Sequence, residues 1–125
     1  MKDHTKRRNL NRGYMKLEVW NNGIELFKIC YHLTGKIPNL DFKLKSQILD
    51  ASQSISSNIA EGYCRRSITE YLHFLNIALG STGELLTRII GLKEIDLLTE
   101  KVFDEFDQKH YEVENKLLSD QVFTG

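Results

Sequence analysis

The sequence predicts an all-α fold, an up-down-up-down antiparallel four-helix bundle, and three observations carry that reading. Apolar residues recur at helical spacing in four long stretches, and no segment alternates in the manner of a strand. Pro38 is the single proline, so long helices run uninterrupted. The connections between stretches are short, which forces successive helices to run antiparallel. With 125 residues, 41% hydrophobic and 27% charged, the chain suits one globular domain. We place the bundle at residues 17–122, after a basic N-terminal arm, residues 1–16, expected to lack fixed structure.

The first helix is predicted over residues 19–34, with Gly35 as a left-handed C-cap and Pro38 blocking continuation. The second begins after Asn39 or Asp41, either of which can cap, and runs to Glu61 with Gly62 as its stop. Ser67-Ile68-Thr69-Glu70 matches the capping box that opens a third helix, extending to Ile95 and so about 40 Å long. Thr99 caps the fourth, with Glu100 favourably placed in its first turn and an end near Asp120.

These helices carry more apolar surface than one bundle needs. In the first, Trp20, Ile24, Phe27 and Tyr31 form one stripe, and Val19, Leu26, Ile29, Cys30 and Leu33 a second lobe. Together they span roughly 240°, against little more than 100° for a bundle helix. The second helix has an inward stripe of Leu44, Ile48, Ala51, Ile55 and Ile59, with Phe42, Leu49 and Ala60 on the opposite edge. The third presents Ile68, Leu72, Leu75, Leu79, Leu86 and Ile89 inward, and Ile77, Gly80 and Gly91 outward. Glycines inside a helix cost about 1 kcal/mol each relative to alanine, which calls for a closely packed neighbour. Homo-oligomerisation through Leu26, Ile29, Leu49, Ile77, Gly80 and Gly91 is the expectation. Gln47, Ala51, Ser54, Asn58 and Glu61 form a polar seam beside the inward stripe, where Ser54 and Asn58 serve helix packing and register.

No residue set defines a reaction. Glu70-x-x-His73 has the spacing of di-iron bundles, with Asp107-x-x-His110 as an echo, but Glu70 and His73 fall some 140–200° from the inward face. His110 belongs to the inward stripe Phe103, Phe106, His110, Val113 and Leu117, as a boundary or hydrogen-bonded core histidine. Cys64 beside Arg65 and Arg66 stands where cations favour a thiolate, without an evident histidine partner. Gly80-Ser81-Thr82-Gly83 lacks the lysine of a phosphate loop. We expect no enzyme activity, no metal, no cofactor and no small-molecule substrate. Two cysteines and the lack of any long apolar run predict a cytoplasmic protein with no membrane partner.

The formal charge is zero but polarised. Residues 1–16 hold Lys2, Lys6, Arg7, Arg8, Arg12 and Lys16 against Asp3, a surplus of five positive charges. Residues 94–120 hold nine acids against Lys101, Lys109 and Lys116, a surplus of six negative ones. Arg65 and Arg66, joined by Lys43 and Lys45 or by Lys6, Arg7, Arg8, Arg12 and Lys16, form a candidate phosphate-binding patch. The acidic fourth helix supports an alternative, a structural oligomer or protein-interaction module that meets a basic partner.

Trp20, Gln47-Ile48, the run Ser54 to Gly62 (SISSNIAEG), Arg66 to Glu70 (RSITE) and Phe74 to Ser81 (FLNIALGS) resemble a four-helix-bundle family. It is named for reading frames in intervening sequences of 23S ribosomal RNA genes, and is similar to the accessory variability protein of diversity-generating retroelements. The resemblance implies a cytoplasmic bacterial homopentamer. The retroelement relative implies binding of structured RNA and of a reverse transcriptase or other RNA-processing partner. No catalytic residues carry over. Ser56 stands where the family has proline, which implies a softened kink in the second helix, and the neutral charge is less basic than that of the RNA-binding relative.

Overall fold

The computed structural model describes residues 13–124, with side chains to residue 121. A 3₁₀ turn, Gly13–Lys16, leads into α1 (Glu18–Gly35), α2 (Phe42–Cys64), α3 (Ile68–Glu94) and α4 (Glu100–Thr124). Among the described residues every regular element is helical. Each helix packs on its successor and α4 returns to α1, which closes the antiparallel bundle. No described helix is long and apolar enough to cross a membrane.

Three of the four starts follow the sequence. The Asp41 carboxylate accepts from the Leu44 amide at 3.1 Å. The Ser67 hydroxyl accepts from the Glu70 amide at 3.3 Å, and the Thr99 hydroxyl from the Val102 amide at 3.2 Å. The reciprocal half of the capping box is replaced, since the Glu70 carboxylate turns to Arg65. α1 has no side-chain cap at Leu17; the Asn21 amide donates instead to the carbonyls of Met15 and Leu17.

The stops differ from expectation. Gly35 ends α1 in ordinary helical geometry, and Asn39 takes the left-handed position (φ 57°) ahead of α2. Gly62 lies inside α2, which ends two residues later at Cys64, with Arg66 left-handed (φ 55°) in the turn that follows. After α3, Asp96 (φ 64°) lets the Leu97 amide reach the Leu92 carbonyl and its own amide reach Lys93, the Schellman pattern. Hydrogen-bond geometry beyond the last turn, rather than the position of a glycine, sets these ends. α4 also runs past Asp120 to Thr124.

The core corrects two faces. Val19, Leu26, Cys30 and Leu33 point inward from α1, so the second lobe is the core face and Tyr31 is 55% exposed. In α3 the buried line is Leu75, Ala78, Thr82, Leu85, Ile89 and Leu92, while Ile68 is 67% exposed and Leu72, Leu79 and Leu86 flank it. Small Ala78 and Thr82 share that buried line with the larger Leu75, Leu85, Ile89 and Leu92. Leu44 is more exposed than its place in the stripe predicts, whereas Ile48, Ala51, Ile55 and Ile59 are buried. Phe106, His110, Val113 and Leu117 line the α4 face as expected.

Two contacts bind the layers. The ring of His110, 1% exposed, meets the Thr82 carbonyl at 2.7 Å through Nε2. A carbonyl only accepts, so Nε2 carries the proton. Cys30 is buried beside Ser52; burial pushes its thiol up to about 12, while the Ser52 hydrogen bond pulls the other way.

Candidate nucleic-acid interface

The α2–α3 turn and the start of the described chain meet at one end of the bundle. Gly62 makes the turn tight: a Cβ there would lie 2.6 Å from the Phe74 Cβ. Tyr63, the next residue, packs edge-on against Tyr14 (6.4 Å between centroids) and Tyr71 (6.3 Å), and Tyr14 in turn against Trp20 (5.5 Å). This aromatic clasp holds Gly13–Lys16 beside the turn, with Met15 buried and Lys16 exposed.

Within the turn the two arginines have different fates. Arg65 donates to Glu61 at 3.0 Å and Glu70 at 3.5 Å, and its guanidinium lies 5.2 Å from the Phe74 ring centroid. All three charged side chains are about half exposed, so these pairs hold Arg65 in place with little effect on stability. Arg66 is exposed and makes no side-chain hydrogen bond or ion pair among the described residues. Nearby, Lys116 pairs with Glu18 at 3.1 Å, and burial raises the Asp120 carboxyl above its usual range. The described cations and acids at this end therefore balance, and the positive surplus comes from residues 1–12. Lys6, Arg7, Arg8 and Arg12 lie outside the described residues, but their chain joins the bundle here, at Gly13.

Lys43 and Lys45 do not join this patch. They sit in the first turn of α2, about 33 Å along the helix from Arg65 at 1.5 Å per residue, at the opposite end. Periodicity places residues around a helix axis, and the antiparallel topology sends the two ends of α2 apart.

The predicted packing residues divide in the same way. Leu26 is fully buried and belongs to the core, not to an outer face. Ile29 and Leu49 pack partly buried against that core. Ser54 bonds Ser81 across α2–α3 at 2.8 Å, and the Asn58 amide donates to the Ser54 carbonyl at 2.7 Å. Gln47, further along the seam, accepts from Arg88 at 2.9 Å. The polar seam thus lies between two helices of one bundle. Ile77 is 39% exposed, and among the described residues nothing stands within 4 Å of a Cβ built on Gly80 or Gly91.

Glu70 and His73 are exposed, and among the described residues no three potential metal ligands cluster. Cys64 is exposed and Cys30 buried. Mass spectrometry after brief iodoacetamide treatment of native protein is expected to find Cys64 labelled and Cys30 unmodified, with both modified after denaturation. Equal labelling in the native protein would contradict the described core.

Sequence reasoning missed the clasp of Tyr14, Tyr63 and Tyr71 and the contact of Gly62 with Phe74. The aromatic residues were visible, but nothing local pairs residue 14 with residue 63.

A search of curated proteins finds no relative. Among solved structures the chain is similar to a protein of unknown function from the S23 ribosomal protein family of Bacteroides thetaiotaomicron. The two share 24% identity and superpose with a TM-score of 0.77 over 82% of this chain and 94% of that one, a likeness of fold. The model of the 23S rRNA-intervening sequence protein family matches residues 15–119, nearly the whole bundle from the buried Met15 to the last turns of α4, and the chain belongs to that family.

Proposed function

We propose that this protein is a non-catalytic, homo-oligomeric, cytoplasmic scaffold that binds structured RNA through the clasped end of the bundle. The supporting observation is Arg66. A left-handed residue other than glycine, asparagine or aspartate costs about 1 kcal/mol, and this one is an exposed arginine without a partner among the described residues. It stands at the end of the bundle where Tyr63 meets Tyr14 and Gly13, and where the basic residues 1–12 join. Such an arrangement presents cations to phosphates and holds no constellation for bond-making. An RNA-processing enzyme or reverse transcriptase is the protein partner this reading favours, brought to the same RNA.

The test is a fluorescence-anisotropy titration with a structured RNA across salt concentration. Affinity is expected to fall steeply with salt, each phosphate contact contributing close to one unit of log–log slope. Arg66→Gly separates binding from folding, because the two effects have opposite signs. The variant is expected to unfold at higher denaturant, gaining about 1 kcal/mol from the relieved backbone, and to bind RNA more weakly with a slope shallower by nearly one. Absence of salt-dependent binding even at low ionic strength would remove the proposal. The acidic face of α4, with Glu105 and Glu112 exposed and Glu114 beside them, would then favour the alternative of a basic protein partner.

A further inference from the structure

We propose that the groove between α1 and α2 is a pocket for an unpaired nucleobase, so that the protein prefers RNA with a single-stranded loop to a fully paired stem. This rests on the RNA reading above and adds to it which part of the RNA is recognised.

The groove has a volume of about 430 Å³, within the range of roughly 300–1,000 Å³ typical of small-molecule sites. Three aromatic side chains line it, Tyr14, Trp20 and Phe27. Trp20 is 9% exposed, so its largely buried indole closes the base of the groove. Tyr14 stands edge-on to that indole, with 5.5 Å between centroids and 67° between planes. Phe27 is half-buried and lies 6.4 Å from the Tyr31 ring without joining the core. Gly23, between Trp20 and Phe27 in the chain, brings α1 and α2 close together: a Cβ there would meet that of Ser56 at 3.3 Å.

Polar groups complete the lining. The Ser57 hydroxyl donates to the Ser54 carbonyl at 3.2 Å and the Ser56 hydroxyl to the Gln53 carbonyl at 3.4 Å, which leaves both oxygens as acceptors. Gln53 is exposed, and its side-chain amide makes no hydrogen bond among the described residues. It offers the groove an acceptor and two donors. Aromatic faces beside a free amide suit a nucleobase. The faces stack on its rings, and the amide bonds a Watson–Crick edge that is accessible only when the base is unpaired. A purely aliphatic ligand would bury the same amide and hydroxyls without partners.

Position selects RNA as the source of the base. Tyr14 belongs to both features, lining the groove and meeting Tyr63 of the clasp at 6.4 Å. Residues 1–12 join one residue before it, at Gly13, and hold Lys2, Lys6, Arg7, Arg8 and Arg12 against Asp3. A strand whose base enters the groove therefore brings its phosphates to the point where this positive surplus joins the bundle. Residues 1–12, with Met1 and Leu10 as their apolar members, suit the phosphates rather than the aromatic walls.

Two labelled hairpin RNAs test this, identical except that the loop nucleotides of one are abasic. Trp20, the single tryptophan, reports on the groove by its fluorescence, and anisotropy gives the affinities. The hairpin with bases is expected to quench Trp20 and to bind about 5- to 150-fold more tightly than the abasic one, the range for stacking one base. Both should show the same salt slope, because their phosphates are the same. Phe27→Ala is expected to remove most of that preference and Gln53→Ala to reduce it about 3- to 10-fold, each with unchanged affinity for the abasic hairpin. Gln53→Ala decides the matter should Phe27→Ala unfold, since Gln53 is exposed and outside the core. Equal, salt-dependent binding of the two hairpins without quenching would overturn this inference and leave the RNA reading standing. Absence of salt-dependent binding to either would remove both. Adenosine monophosphate that quenches Trp20 at a lower concentration than the hairpin would assign the groove to free nucleotides and overturn the inference. So would a Phe27→Ala variant whose sedimentation without RNA differs from that of wild type, by giving the groove to a second copy.

Discussion

Phe106→Ala is expected to destabilise the protein by about 3–5 kcal/mol, the cost of emptying a large buried aromatic site. Phe106 is fully buried in the α4 face of the core, 6.3 Å from the Phe103 ring and 5.5 Å from that of His110. The cavity would open beside the Thr82–His110 contact that ties α4 to α3, so partial collapse would come at the expense of a buried hydrogen bond. For a domain of this size the melting temperature should drop by roughly 10–20 °C in circular dichroism. Protein concentration must be held fixed, since assembly adds to apparent stability. Phe42→Ala is the control: that ring is 83% exposed, and its loss should change stability by less than about 0.5 kcal/mol. Similar losses at the two positions would mean that α4 does not sit in the core as described.

Gly62→Ala should destabilise by about 1–3 kcal/mol, the range for forcing a methyl group into closely packed space. Its Cβ would meet the Phe74 Cβ at 2.6 Å and the Tyr71 ring at 3.3 Å. Relief requires α2 and α3 to separate at the turn, which also loosens Tyr63 from Tyr14. Gly35→Ala should act oppositely, adding about 0.4–1 kcal/mol, because Gly35 is helical and among the described residues nothing stands within 4 Å of the added methyl group. Urea titrations of both variants give the comparison. If both were stabilised, Gly62 would be an ordinary helix position and the tight turn would be wrong.

The pair shows how far local reading goes. Both glycines read as left-handed helix stops in sequence, and neither takes that conformation: Gly35 is the last helical residue of α1 and Gly62 lies inside α2. Gly62 is needed by a residue twelve positions on, in another helix, and Gly35 by nothing around it. Caps read well because their chemistry is local: Asp41, Ser67 and Thr99 each accept an amide three residues later. The α4 stripe read well because that helix has one apolar face. α1 read poorly because it has two, and the regular spacing of Trp20, Ile24, Phe27 and Tyr31 carries no label saying which partner it meets.

The candidate site divides along the same line. Arg65 and Arg66 were legible as a basic turn between two helices. That Arg65 is held by Glu61, Glu70 and Phe74 while Arg66 is left-handed and unpaired among the described residues depends on the turn geometry. Lys43 and Lys45 were assigned to this patch and lie at the far end of α2. By itself the sequence determined four helices, most of their starts, the antiparallel topology and the polarised charge. Each of these follows from contacts a few residues apart or from short connections that leave one direction open. Only the tertiary structure decided which lobe of α1 is core, which glycines are crowded and which are bare, and which cations share an end. Those depend on the rotation of each helix about its axis, which is set by side chains far away in the chain that fill the same space.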